Sequence, residues 1–194
     1  MRASYSPHPT HTVTLLSERM TSVSHIRHWA DRGRLFAILD ATDVPEVPLR
    51  AEALGDSRAI SLYKGRAEED LSAIAPFLVQ VDSNTLDWIS GDLWPDPWGV
   101  FVLADVTLEQ LRTHFRQFLI VRGPADESWY FRFYDPRVFS KYIDTCTADE
   151  VAEFFGPVLA FAVTDLATYG VRVLTRAATS TQKLPSTPHA EFRA

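Results

Sequence analysis

Apolar residues fall along this chain in short blocks, and the spacing inside a block changes from strand-like to helical and back. Residues 35–39, Leu-Phe-Ala-Ile-Leu, are apolar on both faces; this predicts a strand covered on each side, closed by Asp40. Residues 59–63, 77–81 and 98–104 predict further strands, the second closed by Asp82 and the third followed by Asp105. Before and between them the spacing is helical. Leu15, Leu16, Met20, Val23, Ile26 and Ala30 predict one helix over 15–31, which Gly33 would end. Pro45 and Pro48 impose a loop before a short helix through Leu54. Leu71, Ile74 and Ala75 share one side of a helix over 68–75, stopped by Pro76. Asn84 can cap a helix with Leu86, Ile89 and Leu93 on one face, and Trp94-Pro95-Asp96-Pro97 then makes a stiff turn.

The clearest helical pattern covers 108–121. Thr107 and Gln110 form a capping box, and Leu108, Leu111, Phe115, Phe118 and Leu119 recur at helical spacing until Gly123-Pro124. An aromatic stretch follows at 129–138. Alternation places Trp129, Phe131 and Phe133 on one face of a strand and Tyr130, Arg132 and Tyr134 on the other. Pro136 has no N–H to pair, and its fixed φ suits the first turn of a helix capped by Asp135. Arg132 and Arg137 bracket that carboxylate, and arginines among aromatic residues need an assigned acceptor.

Helices over 136–146 and 148–155 come next. A Thr147/Glu150 box starts the second and Gly156-Pro157 stops it. Stretches 161–166 and 171–175 pair as a hairpin around Tyr169-Gly170. Alternating strands and helices, then two helices and a hairpin, predict an α/β fold: a mixed β-sheet flanked by helices, with C-terminal helices and a β-hairpin. Residues 1–14 read as a flexible arm, 15–177 as one domain and 178–194 as a disordered tail.

Composition narrows the function classes. A net charge of −6 gives no reason to expect a nucleic-acid or anionic-membrane surface. The single cysteine, Cys146, excludes an internal disulfide and fits a reducing compartment. The first residues lack the cationic start and apolar run of a secretory signal, and no stretch approaches the ~18 apolar residues of a membrane span. The expectation is a cytoplasmic protein.

Candidate chemistry is sparse. Asp40, Asp82, Asp105 and Asp135 each follow an expected strand, where clustered carboxylates could hold magnesium for a hydrolase or phosphotransfer enzyme. The plainer role of such aspartates is to start turns and cap helices. There is no Gly-x-Ser-x-Gly elbow and no phosphate-cradling glycine loop. His25, His28 and His114 read as solvated and Cys146 as a packed thiol, so no metal site, catalytic residue or cofactor is expected. Trp88, Trp94 and Trp98 crowd a proline-rich stretch. Trp94 and Trp98, with Arg132, Asp135 and Arg137, are the candidates for a partner-binding surface.

The order of motifs resembles a known family. Leu35 to Ala41, Leu62-Tyr63-Lys64-Gly65, Ile74-Ala75-Pro76-Phe77-Leu78-Val79 and Trp98-Gly99-Val100-Phe101 occur in sequence. The Leu108 to Leu119 helix, Phe131-Arg132-Phe133-Tyr134-Asp135-Pro136-Arg137-Val138 and Phe154-Phe155-Gly156-Pro157 complete the series. Over about 34–158 this is similar to the effector adaptor (chaperone) domains of bacterial type VI secretion, once labelled a domain of unknown function. The resemblance implies a non-enzymatic protein that binds a toxic effector in the producing cell and helps load it onto a VgrG-type spike. An immunity-type protein that caps a toxin is the other binding class open to an acidic domain.

Overall fold

The computed structural model describes residues 16–176, apart from 43, 66–69, 95, 124, 166, 167 and 169. The expected arm at 1–14, the tail at 178–194 and the start of the helix over 68–75 lie outside these residues. The strands are β1 (Leu16–Thr21), β2 (Leu35–Asp40), β3 (Ala59–Ser61), β4 (Pro76–Gln80), β5 (Gly99–Ala104), β6 (Ile120–Arg122), β7 (Ser128–Tyr130), β8 (Val158–Thr164) and β9 (Val171–Arg176). The α-helices are α1 (Val23–Ala30), α2 (Glu46–Leu54), α3 (Ser83–Trp88), α4 (Leu108–Phe115), α5 (Pro136–Ile143) and α6 (Ala148–Phe155).

Seven strands form one sheet in the order β1-β9-β8-β5-β2-β4-β3, and β6 and β7 form a separate hairpin. The sheet divides two cores. Phe36, Ile38, Val100, Val102, Phe161 and Val163 face α4, α5 and α6. Leu35, Ala37, Leu39, Phe101, Ala160 and Ala162 face α1, α2 and α3. The run at 35–39 is therefore apolar throughout because β2 is buried on both faces, as its pattern required.

Every pairing in the sheet is antiparallel, where the sequence led to a mixed sheet. The reason is interleaving. The helical connections do return the chain to its starting end, so β2 and β3 run the same way, as do β4 and β5. Each such pair leaves a gap: β4 sits between β2 and β3, and β2 sits between β4 and β5. Neighbours are thus antiparallel although each β–α–β unit is parallel within itself. At the start of β5, Gly99 has φ +152° and no room for a Cβ against the Ile38 carbonyl, so a side chain there would push β2 and β5 apart.

The helix expected over 15–31 is two elements. Leu16–Thr21 pairs along the whole of β9, and those ladder bonds outweigh the helical spacing of its apolar residues. Only Val23–Ala30 is helical, and Gly33 ends it with φ +66°, its N–H bonded to the Ala30 carbonyl. The long helix over 108–121 stops at Phe115, passes through a tight turn at Arg116–Phe118 and becomes β6. Both capping boxes, Thr107/Gln110 and Thr147/Glu150, are formed. The α3 cap is Asp82, which accepts from the Thr85 N–H at 2.8 Å, rather than Asn84.

Candidate partner-binding site

The aromatic stretch at 129–138 is a strand for only Ser128–Tyr130. Phe133 and Tyr134 are consecutive yet pack into the same core, whereas successive strand residues point to opposite faces, and the Asp135 N–H turns back to the Arg132 carbonyl at 3.0 Å. The chain therefore leaves an exposed hairpin, drives two rings into the core and enters α5 within a few residues. Phe133 meets Phe115 with ring centroids 5.7 Å apart, and meets Phe154 at 5.5 Å. This places the start of α5 against α4 and α6.

Two buried aspartates fix the turn. Asp40, at the end of β2, is 3% exposed; its Oδ2 accepts from Arg132 Nε at 3.1 Å and from Arg132 Nη2, and its Oδ1 accepts from the Thr42 N–H at 3.0 Å. Asp135 is 4% exposed and caps α5 by accepting from the Arg137 N–H at 2.8 Å. The Arg137 guanidinium clasps the same carboxylate, Nε to Oδ1 at 2.9 Å and Nη2 to Oδ2 at 2.6 Å. Burial pushes the Asp135 carboxyl up, but the hydrogen bonds and charge of Arg137, with the charge of Arg132, leave it below its ordinary value. The two arginines thus hold separate carboxylates rather than bracketing Asp135 together. Beside them burial raises the phenols of Tyr63 and Tyr134.

The hairpin presents what the sequence pattern hid. Ile120 pairs with Tyr130 and Val121 with Trp129. Ile120 is 56% exposed, Trp129 52% and Tyr130 50%, and Val121 is exposed as well. The two pairs lie on opposite faces of the ribbon, so both faces keep exposed apolar side chains, although Tyr130 also packs on Tyr63. A two-stranded ribbon with aromatic residues open on both sides is the composition of a contact surface. The turn residues Gly123-Pro124 between two apolar pairs were the available signal; helical spacing in the preceding residues masked it.

Among the expected anchors, Trp98 is 1% exposed, its ring 4.7 Å from Phe101, and so offers no surface of its own. Trp94 is half-buried against the core under α1 to α3. Arg132 and Arg137 keep part of their guanidinium groups at the surface.

The strand-end aspartates do not converge. Because neighbours are antiparallel, Asp40 lies at one end of the sheet and Asp82 and Asp105 at the other, roughly 17 Å away along β2. Each has its own arginine: Asp40 with Arg132, Asp82 with Arg58, Asp105 with Arg34 and Asp135 with Arg137. Among the described residues no three His, Cys, Asp or Glu stand together as metal ligands. The magnesium arrangement considered for these four carboxylates is therefore not formed. No helix among the described residues is long and apolar enough to cross a membrane.

Fold and site together describe an α/β protein with an uncovered aromatic ribbon beside arginines anchored on buried carboxylates. The chain belongs to the family described as a domain of unknown function, DUF4123, whose model matches residues 35–153; this is the family linked to the effector adaptors of type VI secretion. The match begins with β2 and ends inside α6, leaving β1, α1, β8 and β9 outside it. No curated protein and no solved structure matches the chain.

Proposed function

We propose that this chain is a non-enzymatic adaptor that binds a type VI secretion effector in the cytoplasm of the producing bacterium and helps load it onto a VgrG-type spike. The family match over 35–153 carries the reading. Its support from the fold is that the carboxylates best placed for chemistry are committed to arginines and caps, where they hold elements together. The docking surface in this reading is the β6–β7 hairpin with the outer parts of Arg132 and Arg137 and the edge of Trp94. Asp135 holds Arg137 in place, and Trp98 contributes from the core, packed on Phe101.

The test is co-purification of the full-length chain from cells that carry the secretion genes. The expected result is recovery of an effector together with a VgrG-type spike. Recovery of the chain alone, under conditions that preserve the spike, overturns the proposal.

A further inference from the structure

Strand β3 ends the sheet, and among the described residues no strand pairs with its outer edge. On its inner side the Gln80 N–H donates to the Arg58 carbonyl at 2.7 Å and the Leu62 N–H to the Pro76 carbonyl at 2.9 Å. Bonding alternates along an antiparallel ladder, so Ile60 turns its N–H and C=O towards β4 while Ala59 and Ser61 turn theirs outward. Half of those outward groups are used within the chain. The Ala59 N–H donates to the Gly55 carbonyl at 2.9 Å, and the Ser61 carbonyl accepts from Arg112 Nε at 3.1 Å. Among the described residues no partner is bonded to the Ala59 C=O or the Ser61 N–H. They flank Ile60 at the spacing a parallel strand requires: one incoming residue gives its N–H to Ala59 and takes the Ser61 N–H on its carbonyl.

The edge opens into a groove of about 550 Å³, a size typical of sites that hold ligands. Its walls come from both helical layers, Glu52 of α2 on one side and Glu109 and Arg112 of α4 on the other. The layers thus overhang the sheet beyond its last strand. Among the described residues three carboxylates, Glu52, Asp56 and Glu109, line the groove against one guanidinium, Arg112, which lies 3.8 Å from Glu109. The groove therefore favours a cationic occupant.

We infer that this groove takes a short extended segment of the effector, bearing Lys or Arg, which adds to β3 as a parallel strand. The inference rests on the adaptor reading and names the kind of segment recognised. A three-residue edge is too short to template open-ended strand stacking, yet it carries the pair of groups one residue needs. The path also continues. Two residues beyond Ser61, Tyr63 packs on Tyr130 of the hairpin with ring centroids 5.2 Å apart, so a segment following β3 runs on to the exposed ribbon.

The test uses the full chain and short overlapping peptides tiling the effector that co-purifies with it. Peptides bearing Lys or Arg are expected to bind and to slow hydrogen exchange at the Ser61 amide. Glu52→Lys with Asp56→Lys, both at exposed positions, is expected to weaken binding about tenfold without unfolding the chain. Ser61→Pro removes an N–H that the sheet does not use and is expected to abolish the binding. Equal binding of peptides without basic residues, unchanged exchange at Ser61, or undiminished binding by the charge-reversed chain overturns the inference and leaves the adaptor reading standing. Failure to recover any effector removes both.

Discussion

Arg132 reaches Asp40 across ninety-two residues of sequence and donates to a single oxygen, Oδ2, from Nε at 3.1 Å and from Nη2. Asp40 is also held at its backbone, where its N–H donates to the Trp98 carbonyl at 2.8 Å. One pair therefore joins the end of β2, the entry to β5 and the turn into α5. Breaking it from either side leaves a different residue of charge. Arg132→Met strands a carboxylate that is 3% exposed and is expected to cost about 2–4 kcal/mol. Adding Asp40→Asn to it should recover part of that loss, since no unpaired charge then stays inside. Urea unfolding of the single and double variants measures the difference, and a double variant as unstable as the sum of its singles rules the coupling out.

Asp135 has both a capping and a charge role, so its substitution tests the junction that begins α5. Asp135→Ala removes the bond to the Arg137 N–H and the guanidinium clasp, an expected loss of about 2 kcal/mol. The same group sets an acid limit. Its folded-state pKa is depressed below the ordinary 3.8, so its contribution is complete above that value and is lost as pH falls through the depressed one. Acid unfolding of the Asp135→Asn variant should be correspondingly less steep.

His114 sets a limit nearer neutrality. Its ring lies against Phe115 and Phe118, and its Nε2 meets the Phe154 carbonyl at 2.9 Å. Burial lowers its pKa from 6.5, while the Phe154 bond and the neighbouring Glu153 oppose the shift only in part. The unfolded chain then takes up this proton first. Stability should be full above pH 6.5 and decline as pH falls towards the depressed folded value, where the loss levels off. His114→Gln keeps an N–H donor without the titration. Thermal melting across this range should show a slope in the parent that the variant lacks.

How much of this could be read from the chain differs by element. Where one local rule decides, the sequence spoke clearly: the Thr107/Gln110 and Thr147/Glu150 boxes, the Asp135-Pro136 helix start and the doubly buried run at 35–39 all stand as expected. Where pairing with distant strands decides, it did not. Leu16–Thr21 has helical spacing but is held by β9, some 150 residues later, and Ile120–Arg122 continues a helical pattern but pairs with β7. The interleaving that makes every neighbour antiparallel depends on which strand fills each gap, which no local spacing encodes. The candidate site was half legible for the same reason. Asp135 and Arg137 are sequence neighbours, whereas the acceptor of Arg132 had to be found in three dimensions.

The hairpin gives the sharpest separation of stability from function. Ile120 and Trp129 are exposed on opposite faces of β6 and β7 and are not part of either core. Ile120→Ser with Trp129→Ser should therefore change stability by less than about 1 kcal/mol, because little apolar area leaves the interior. If the ribbon docks the effector, the same two residues occupy the centre of that contact, where aromatic anchors dominate binding, and the complex should weaken at least tenfold. A control at Met20, an exposed apolar residue on β1 at the opposite edge of the sheet from β3, should leave binding unchanged as Met20→Ser. Titration of the purified effector against the three chains, alongside their melting curves, reads both quantities. Full binding by the hairpin variant would leave β6 and β7 without a docking role and would move the contact to the β3 groove.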